Sequence, residues 1–257
     1  PMPEPSPLGT TLAGLRRAAH LALDWFYPRH CCHCGLPLAE FDARTLCADC
    51  TADLRALRIT GTVCDVCGVP LSGDPAAGSL CIACRAEARH FDRARGFVLY
   101  AEPIRSVIHS FKFGGSYFLG PRVLRFMLER GWYPDGLEPA DAVMPIPLHP
   151  RRRRERGYDQ ALLLARVLAR RLDLPLQAGT LIRTRYTSQQ ARLAPRQRWD
   201  NVRGAFRVRS RAEVAGRRLM LVDDVLTTAT TARECARVLK RHGAAHVQVV
   251  TLARTPP

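Results

Sequence analysis

Apolar and polar positions along the chain change their period near residue 91. Downstream of that point two patterns alternate. Residues 157–172, Gly-Tyr-Asp-Gln-Ala-Leu-Leu-Leu-Ala-Arg-Val-Leu-Ala-Arg-Arg-Leu, place their apolar side chains on one face of a helix, and 102–112 and 117–130 carry the same period. Arg95 to Tyr100, Asp141 to Ile146, Arg218 to Asp223 and Val247 to Leu252 are short apolar runs that read as strands. Thr231 to His242, closed by Gly243, reads as a further helix. Alternation of this kind predicts an α/β domain: a mostly parallel sheet, helices on both faces, and ligands at the carboxyl ends of the strands. At the other end of the chain, Leu12, Leu15, Ala19, Leu23 and Phe26 recur at helical spacing, which predicts an amphipathic helix over 11–26 that docks on another surface.

Between these regions the periodicity gives way to cysteine. Nine of the ten cysteines precede residue 85, and eight form Cys-x-x-Cys pairs: Cys31 and Cys34, Cys47 and Cys50, Cys64 and Cys67, Cys81 and Cys84. The segment is an internal repeat, because Gly35-Leu36-Pro37-Leu38 and Gly68-Val69-Pro70-Leu71 follow corresponding pairs. A Cys-x-x-Cys turn puts two thiolates on one side of a tight knuckle, and two knuckles complete the tetrahedron that zinc prefers. Pairing each knuckle with its sequence neighbour gives two structural zinc sites; a crossed pairing is the alternative. Cys32 and His33 lie between ligands and are read as non-ligands, and Cys235 as core packing. Residues 29–90 hold too few large apolar side chains to fold without the metal. The predicted organisation is therefore a tail and helix over 1–28, a cysteine-rich domain over 29–90 and an α/β domain over 91–257.

The formal net charge of +16 sharpens this picture through its placement. Only Lys112 and Lys240 are lysines, and the remaining cations are arginines. The run Arg-Arg-Arg-Arg-Glu-Arg at 151–156 carries +4, and 183–211, with Asp200 as its one acid, carries +8. Charge gathered in two short stretches points to an anionic partner: a phosphorylated small molecule, a nucleic acid, or both. Tyr186, Trp199 and Phe206 interleave with the arginines of the second stretch, a composition used for single-stranded nucleic acid, although Trp199 and Phe206 read better as packing residues. No apolar run reaches the roughly 18 residues needed to span a bilayer, and the N-terminus lacks the marks of an export signal. A cytoplasmic protein without membrane insertion is expected.

A further motif is chemical. Leu219-Met220-Leu221-Val222 leads into Asp223-Asp224, then Val225-Leu226, the turn Thr227-Thr228-Ala229-Thr230-Thr231 and a helix. A turn feeding a helix N-terminus presents unpaired amides and the positive end of the helix dipole, which suits a phosphate dianion. Two carboxylates at the strand tip can accept from the vicinal hydroxyls of a sugar. A threonine-rich turn also caps helices without any ligand, but paired acids beside it have little structural use.

With these residues in place, Val222 to Thr231 resembles the phosphoribosyl pyrophosphate (PRPP) motif of type I phosphoribosyltransferases. Pro145-Ile146-Pro147-Leu148-His149-Pro150, Arg156-Gly157-Tyr158-Asp159-Gln160 and Asn201-x-x-Gly204-Ala205-Phe206, preceded by two zinc-ribbon-like units, resemble the ComF family of competence-associated phosphoribosyltransferase-like proteins over roughly residues 29 to 255. The resemblance implies a Rossmann-like type I phosphoribosyltransferase core joined to a small N-terminal double zinc ribbon. It implies Mg2+-dependent transfer of a phosphoribosyl group with release of pyrophosphate, and a link to DNA uptake and natural transformation. The alternative is an accessory protein for single-stranded DNA with little or no turnover, using the pocket as a ligand sensor. A competence helicase is an implied partner.

Carried over residue by residue, the resemblance assigns Asp223 and Asp224 to the ribose hydroxyls and Thr227, Thr228, Ala229, Thr230 and Thr231 to the 5′-phosphate. Pro147-Leu148-His149 with Arg151 and Arg152 would form the pyrophosphate loop, extended along 151–156, and 183–203 a mobile hood. His149 and Lys112 join the PRPP-binding set, Lys112 from the motif His109-Ser110-Phe111-Lys112-Phe113; a lysine there also suits the C-terminal dipole of a helix with no further role. Two departures matter. Ala229 stands where the family pattern has Gly, at a cost of about 1–2 kcal/mol if its φ is positive. Thr227 stands where purine-salvage members carry an acid, which argues against hypoxanthine or guanine as acceptor.

Overall fold

The computed structural model describes residues 30–38, 45–73, 75–76, 78–87, 89–187 and 195–256. The helix expected over 11–26 and part of the expected hood lie outside them. The parallel sheet is built from β1 (Arg93–Leu99), β2 (Ala142–Pro145), β5 (Arg218–Leu226) and β6 (His246–Arg254), in the order β1-β6-β5-β2 with every pairing parallel. A separate antiparallel pair joins β3 (Leu181–Arg183) to β4 (Phe206–Val208).

Strand alternation explains the two layers. Successive side chains of a strand face opposite sides of the sheet. In β5, Met220 and Val222 face a core filled by α3 (Ile104–Phe113), α4 (Leu119–Glu129) and α6 (Gln160–Leu172). Leu219 and Leu221 face a second core with α8 (Thr230–Arg241) and β4. Both faces are thus covered, as a parallel sheet requires.

Two expectations of local structure need correction. The arginine run, expected as a loop, is the helix α5 (Pro150–Arg156). Pro150 opens it, His149 Nδ1 accepts from the Arg151 amide at 3.2 Å, and Gly157 closes it in the left-handed conformation at φ 83°. The following helix, expected from 157, starts at Gln160 because Asp159 caps it by accepting from the Leu162 amide at 3.0 Å. The segment expected as a hood, 183–203, holds the end of β3 and α7 (Pro195–Val202) among its described residues.

The two cysteine units repeat in structure as they do in sequence. Gly35 N donates to Cys31 O at 3.0 Å and Gly68 N to Cys64 O at 2.9 Å; Cys31 N and Cys64 N each donate at 2.8 Å, to Leu36 O and Val69 O. α1 (Ala48–Ala56) and α2 (Ile82–Ala86) each begin directly after a cysteine. The second unit is seated on the sheet: Ala94 N of β1 donates to Val66 O at 2.7 Å, and buried Arg95 donates to Asp65 O at 3.0 Å.

Gly35 and Gly68 both have positive φ, but only Gly68 lies against β1, where a Cβ would stand 2.4 Å from Ala94 O. Alanine at either position costs the left-handed penalty of about 1–2 kcal/mol. Gly68→Ala should cost measurably more than Gly35→Ala in denaturant unfolding, because only it meets the sheet. Equal losses would show that the second unit is not seated on β1.

Candidate functional site

A cavity of about 230 Å3 opens at the carboxyl ends of β2 and β5. Its floor is acidic. Asp223 and Asp224 follow Val222, the last residue of β5 paired with β2, so both acids lie where the neighbouring strand has ended and both line the cavity. Asp224 is 7% exposed, and its Oδ1 lies 2.8 Å from Lys112 Nζ. Burial alone would lower the Lys112 ammonium's pKa, but the Asp224 carboxylate outweighs this and raises it. Asp223 has no such direct partner. Burial, then the neighbouring Asp224 charge, push its carboxyl up to about 7, with Lys112 opposing both.

Lys112 reaches Asp224 from the last turn of α3. Phe111 beside it is fully buried, and the Tyr158 hydroxyl donates to the Phe111 carbonyl, so the end of α3 is fixed from two sides. Asp159 serves the same region: besides capping α6, it accepts from the Leu148 amide at 3.3 Å and ties the segment after β2 to α6. Burial raises its pKa.

The opposite wall is cationic. Arg152 and Arg156 of α5 stand four residues apart, so one helix face presents both to the cavity. Arg151, Arg153 and Arg154 are exposed, and Arg151 pairs with Glu155 at 3.0 Å. Arg183 enters from β3; burial lowers its pKa, its ring partner is Phe206 at 5.3 Å, and its Nε is buried without a hydrogen bond. Gln160, 3% exposed, also lines the cavity with its Nε2 unpartnered. Buried donors left unpaired cost about 1–3 kcal/mol each, which is consistent with acceptors supplied by a ligand.

The turn after β5 wraps the N-terminus of α8. Thr231 lines the same cavity as the acids, and the hydroxyls of Thr228 and Thr230 lie 2.8 Å apart. Ala229 precedes the helix at φ 60° and ψ 12° and gives the first-turn amides no side-chain cap. The Cβ therefore does sit in the left-handed region. A strained residue at a helix entry that a better capping residue would relax is typical of ligand-binding loops.

The sulfurs of Cys31, Cys34, Cys47 and Cys50 form one cluster and those of Cys64, Cys67, Cys81 and Cys84 another, each with its atoms within 4.8 Å of one another. All-thiolate donor sets at this spacing fit tetrahedral zinc. Neighbouring knuckles pair, not crossed ones. His33 turns away to Glu102 and Ser106, so it is not drawn into the cluster. Cys235 is fully buried in the core.

Of the residues singled out from sequence, the cavity brings together Lys112, Arg152, Asp223, Asp224 and Thr231. Thr227, Thr228, Ala229 and Thr230 line the other side of the turn, next to the second cysteine cluster. Arg151 and His149 lie outside the cavity. The structure adds Arg156, Asp159, Gln160 and Arg183 to its lining. Arg156, Asp159 and Gln160 stood within a quoted motif; nothing in the sequence separates Arg183 from its many arginine neighbours. Trp199 and Phe206 pack, against Arg233 and in the core respectively.

Comparison with known proteins gives a consistent result. Residues 159–256 match the family described as "Phosphoribosyl transferase domain", and 22–85 the "Double zinc ribbon domain". DNA utilization protein YhgH of Escherichia coli K12 is 34% identical over 231 residues, covering 89% of this chain and 98% of that protein. Competence protein F of Haemophilus influenzae is 30% identical over 235 residues with the same coverage. Competence protein ComFC of Bacillus subtilis is 28% identical over 222 residues, 82% of this chain and 84% of that one. Among the described residues no helix is long and apolar enough to cross a membrane.

Two measurements follow from the geometry. Ala229→Gly removes a Cβ from the left-handed region and should stabilise the protein by roughly 1 kcal/mol in denaturant unfolding; a loss of stability would contradict the assigned backbone. Asp223 holds its proton to about pH 7 in the folded state but only to about pH 4 unfolded. Stability therefore falls as pH rises through that window. Asp223→Asn should raise the melting temperature most above pH 7 and least near pH 4, and a pH-independent effect would exclude the shifted carboxyl.

Proposed function

Because the chain belongs to the ComF family, with a phosphoribosyltransferase domain behind a double zinc ribbon, we propose that its cavity binds PRPP with Mg2+ and transfers the phosphoribosyl group to a nitrogen nucleophile. The observation that carries this reading is the acid pair near the end of β5, buried at Asp224 and faced by cations from three separate elements: Lys112 of α3, Arg152 and Arg156 of α5, and Arg183 of β3. Such a cavity suits a molecule with a diol at one end and a polyphosphate at the other. The ribose hydroxyls donate to Asp223 and Asp224. The 5′-phosphate takes the turn 227–231 and the dipole of α8. The pyrophosphate takes Arg152, Arg156 and Arg183 in place of Arg151.

In the reaction, the nitrogen lone pair forms a bond to the anomeric carbon while the bond from that carbon to the pyrophosphate oxygen breaks. The electron pair leaves with pyrophosphate, and the proton on nitrogen passes to solvent. Positive charge develops on the sugar and negative charge on the leaving group. Arginines fixed on α5 and β3 stabilise the latter without reorganising. Asp223 and Asp224 orient the ring and sit close to the developing cation.

Mg2+ fits as a companion of the substrate. It keeps several waters and takes one or two carboxylates plus substrate phosphates, and Asp223 with Asp224 offers those carboxylates while Lys112 keeps the pair from repelling itself apart. When bound, the ion neutralises charge on the leaving pyrophosphate.

A specific observation also favours a role with single-stranded DNA, in keeping with the names of the E. coli and H. influenzae relatives. The cavity's rim carries exposed aromatics flanked by arginine: Phe113, 60% exposed, under Arg156, and Tyr186 under Arg151 and Arg152. Bases stack on such rings while arginine neutralises the backbone. In this reading the pocket senses a phosphorylated ligand and turnover is absent.

Incubation with PRPP, Mg2+ and ammonia or a panel of nitrogen nucleophiles should release pyrophosphate. Asp223→Ala and Lys112→Met should each reduce that release at least a hundredfold while leaving both zinc ions in place. PRPP should also raise the melting temperature of the wild type. No stabilisation at millimolar PRPP would contradict the reading; stabilisation without pyrophosphate release, alongside salt-sensitive DNA binding, would select the sensor.

A further inference from the structure

The second cysteine cluster is wired to the turn that holds the 5′-phosphate in the reading above, and the first is not. Arg254, the last residue of β6, is 8% exposed and fully engaged. Its Nε donates to Cys67 O at 3.1 Å and its Nη2 to Cys67 Sγ at 3.6 Å. Its Nη1 donates in the other direction, to Leu226 O at 3.0 Å and Thr227 O at 2.7 Å. Arg89 makes a second, weaker strap: it borders the cavity that Cys67 and Cys81 line, and its Nη1 reaches Thr228 O at 3.5 Å. A third link pairs Glu87, just after α2, with Arg233 in the first turn of α8. Three consecutive carbonyls at 226, 227 and 228 are therefore held by two arginines, one of which also rests on the Cys67 sulfur.

The first cluster makes its described contacts elsewhere: Cys31 and Cys50 are buried in the core that α3 fills, and His33 reaches Glu102 and Ser106 at the start of that helix.

We propose that Arg254, with Arg89, is a positioning residue that couples the metal at Cys64, Cys67, Cys81 and Cys84 to the phosphate-binding turn. A zinc tetrathiolate carries a net charge of about −2, and charge-assisted bonds to arginine are the strong ones. With the metal bound, the Arg254 guanidinium is anchored and the carbonyls it holds point away from the phosphate, leaving the amides of the turn to face it. Without the metal the anchor is released and the turn, already strained at Ala229, relaxes. The proposal rests on the turn 227–231 binding the 5′-phosphate.

Coupling between two sites is reciprocal, so PRPP and zinc must change each other's affinity by the same factor. Zinc affinities of the full-length protein are measured by competition with a chromogenic chelator, with and without saturating PRPP and Mg2+. Alkylation followed by mass spectrometry identifies which cysteines have lost metal. PRPP should tighten zinc at Cys64, Cys67, Cys81 and Cys84 on the order of tenfold and leave the other cluster unchanged. Arg254→Gln should keep both zinc ions and abolish most of the coupling, whereas Arg254→Lys should restore part of it; Arg89→Gln gives the same comparison on the weaker strap if Arg254 variants fold poorly.

PRPP that binds without changing either zinc affinity overturns the coupling and leaves the phosphate-binding reading intact. Equal tightening at both clusters overturns it too, because that is general stabilisation. Absence of PRPP binding removes the premise and the proposal together.

Discussion

Two adjacent carboxylates at the end of a buried strand repel each other and cannot both be charged without a cation, and the ion pair between Lys112 and Asp224 meets that constraint. Much of the surrounding structure serves it. The end of α3 must be placed to within hydrogen-bond distance of β5, so Phe111 is sunk in the core and its carbonyl is held by Tyr158. Tyr158 in turn depends on the turn at Gly157 and on the Asp159 cap of α6. With one acid neutralised, the other keeps a pKa near 7, and the cavity stays poised between proton and ligand.

The cations around that pair come from short elements that a larger sheet would not need. α5 turns two of its arginines inward and leaves the others in solvent, while β3 contributes Arg183 from a three-residue strand. Orphaned donors at Gln160 and Arg183 are kept buried at a cost to the empty protein. Behind the turn 227–231, Arg254 of β6 joins Leu226 O and Thr227 O to the Cys67 sulfur, so the second zinc ribbon backs that turn. The second ribbon thus borders the turn as well as belonging to the cysteine-rich N-terminal region.

Much of this was legible in the sequence where a single local signal sufficed. The parallel sheet followed from apolar runs alternating with helical periods, and the cysteine clusters from spacing alone. Asp223 and Asp224 stood out because acids interrupt an otherwise apolar run, and Lys112 because lysine is so rare in this chain. What stayed hidden depended on phase or on long-range contact. α5 has no apolar periodicity, so the helix in the arginine run was invisible, and with it the fact that Arg152 and Arg156, not Arg151, face the cavity. β3 and β4 are too short to show alternation, and Arg183 is one arginine among many. His149 read equally as a phosphate ligand or as a structural residue, and its Nδ1 caps α5. The left-handed φ of Ala229 was foreseeable only as an alternative, since sequence shows the missing glycine but not the angle.

The central claim is that one phosphoribosyl pyrophosphate molecule spans the acid pair, with its pyrophosphate among the arginines of the cavity and its 5′-phosphate on the turn 227–231. A crystal structure of the protein grown with PRPP and Mg2+ tests it most directly. The account predicts the ribose hydroxyls on Asp223 and Asp224, the 5′-phosphate on the amides of 227–231, and the pyrophosphate against Arg152, Arg156 and Arg183, with the ion pair from Lys112 kept or exchanged for contact with the ligand. PRPP bound on another face, or in this cavity with its phosphates turned away from both the turn and the arginines, would contradict it.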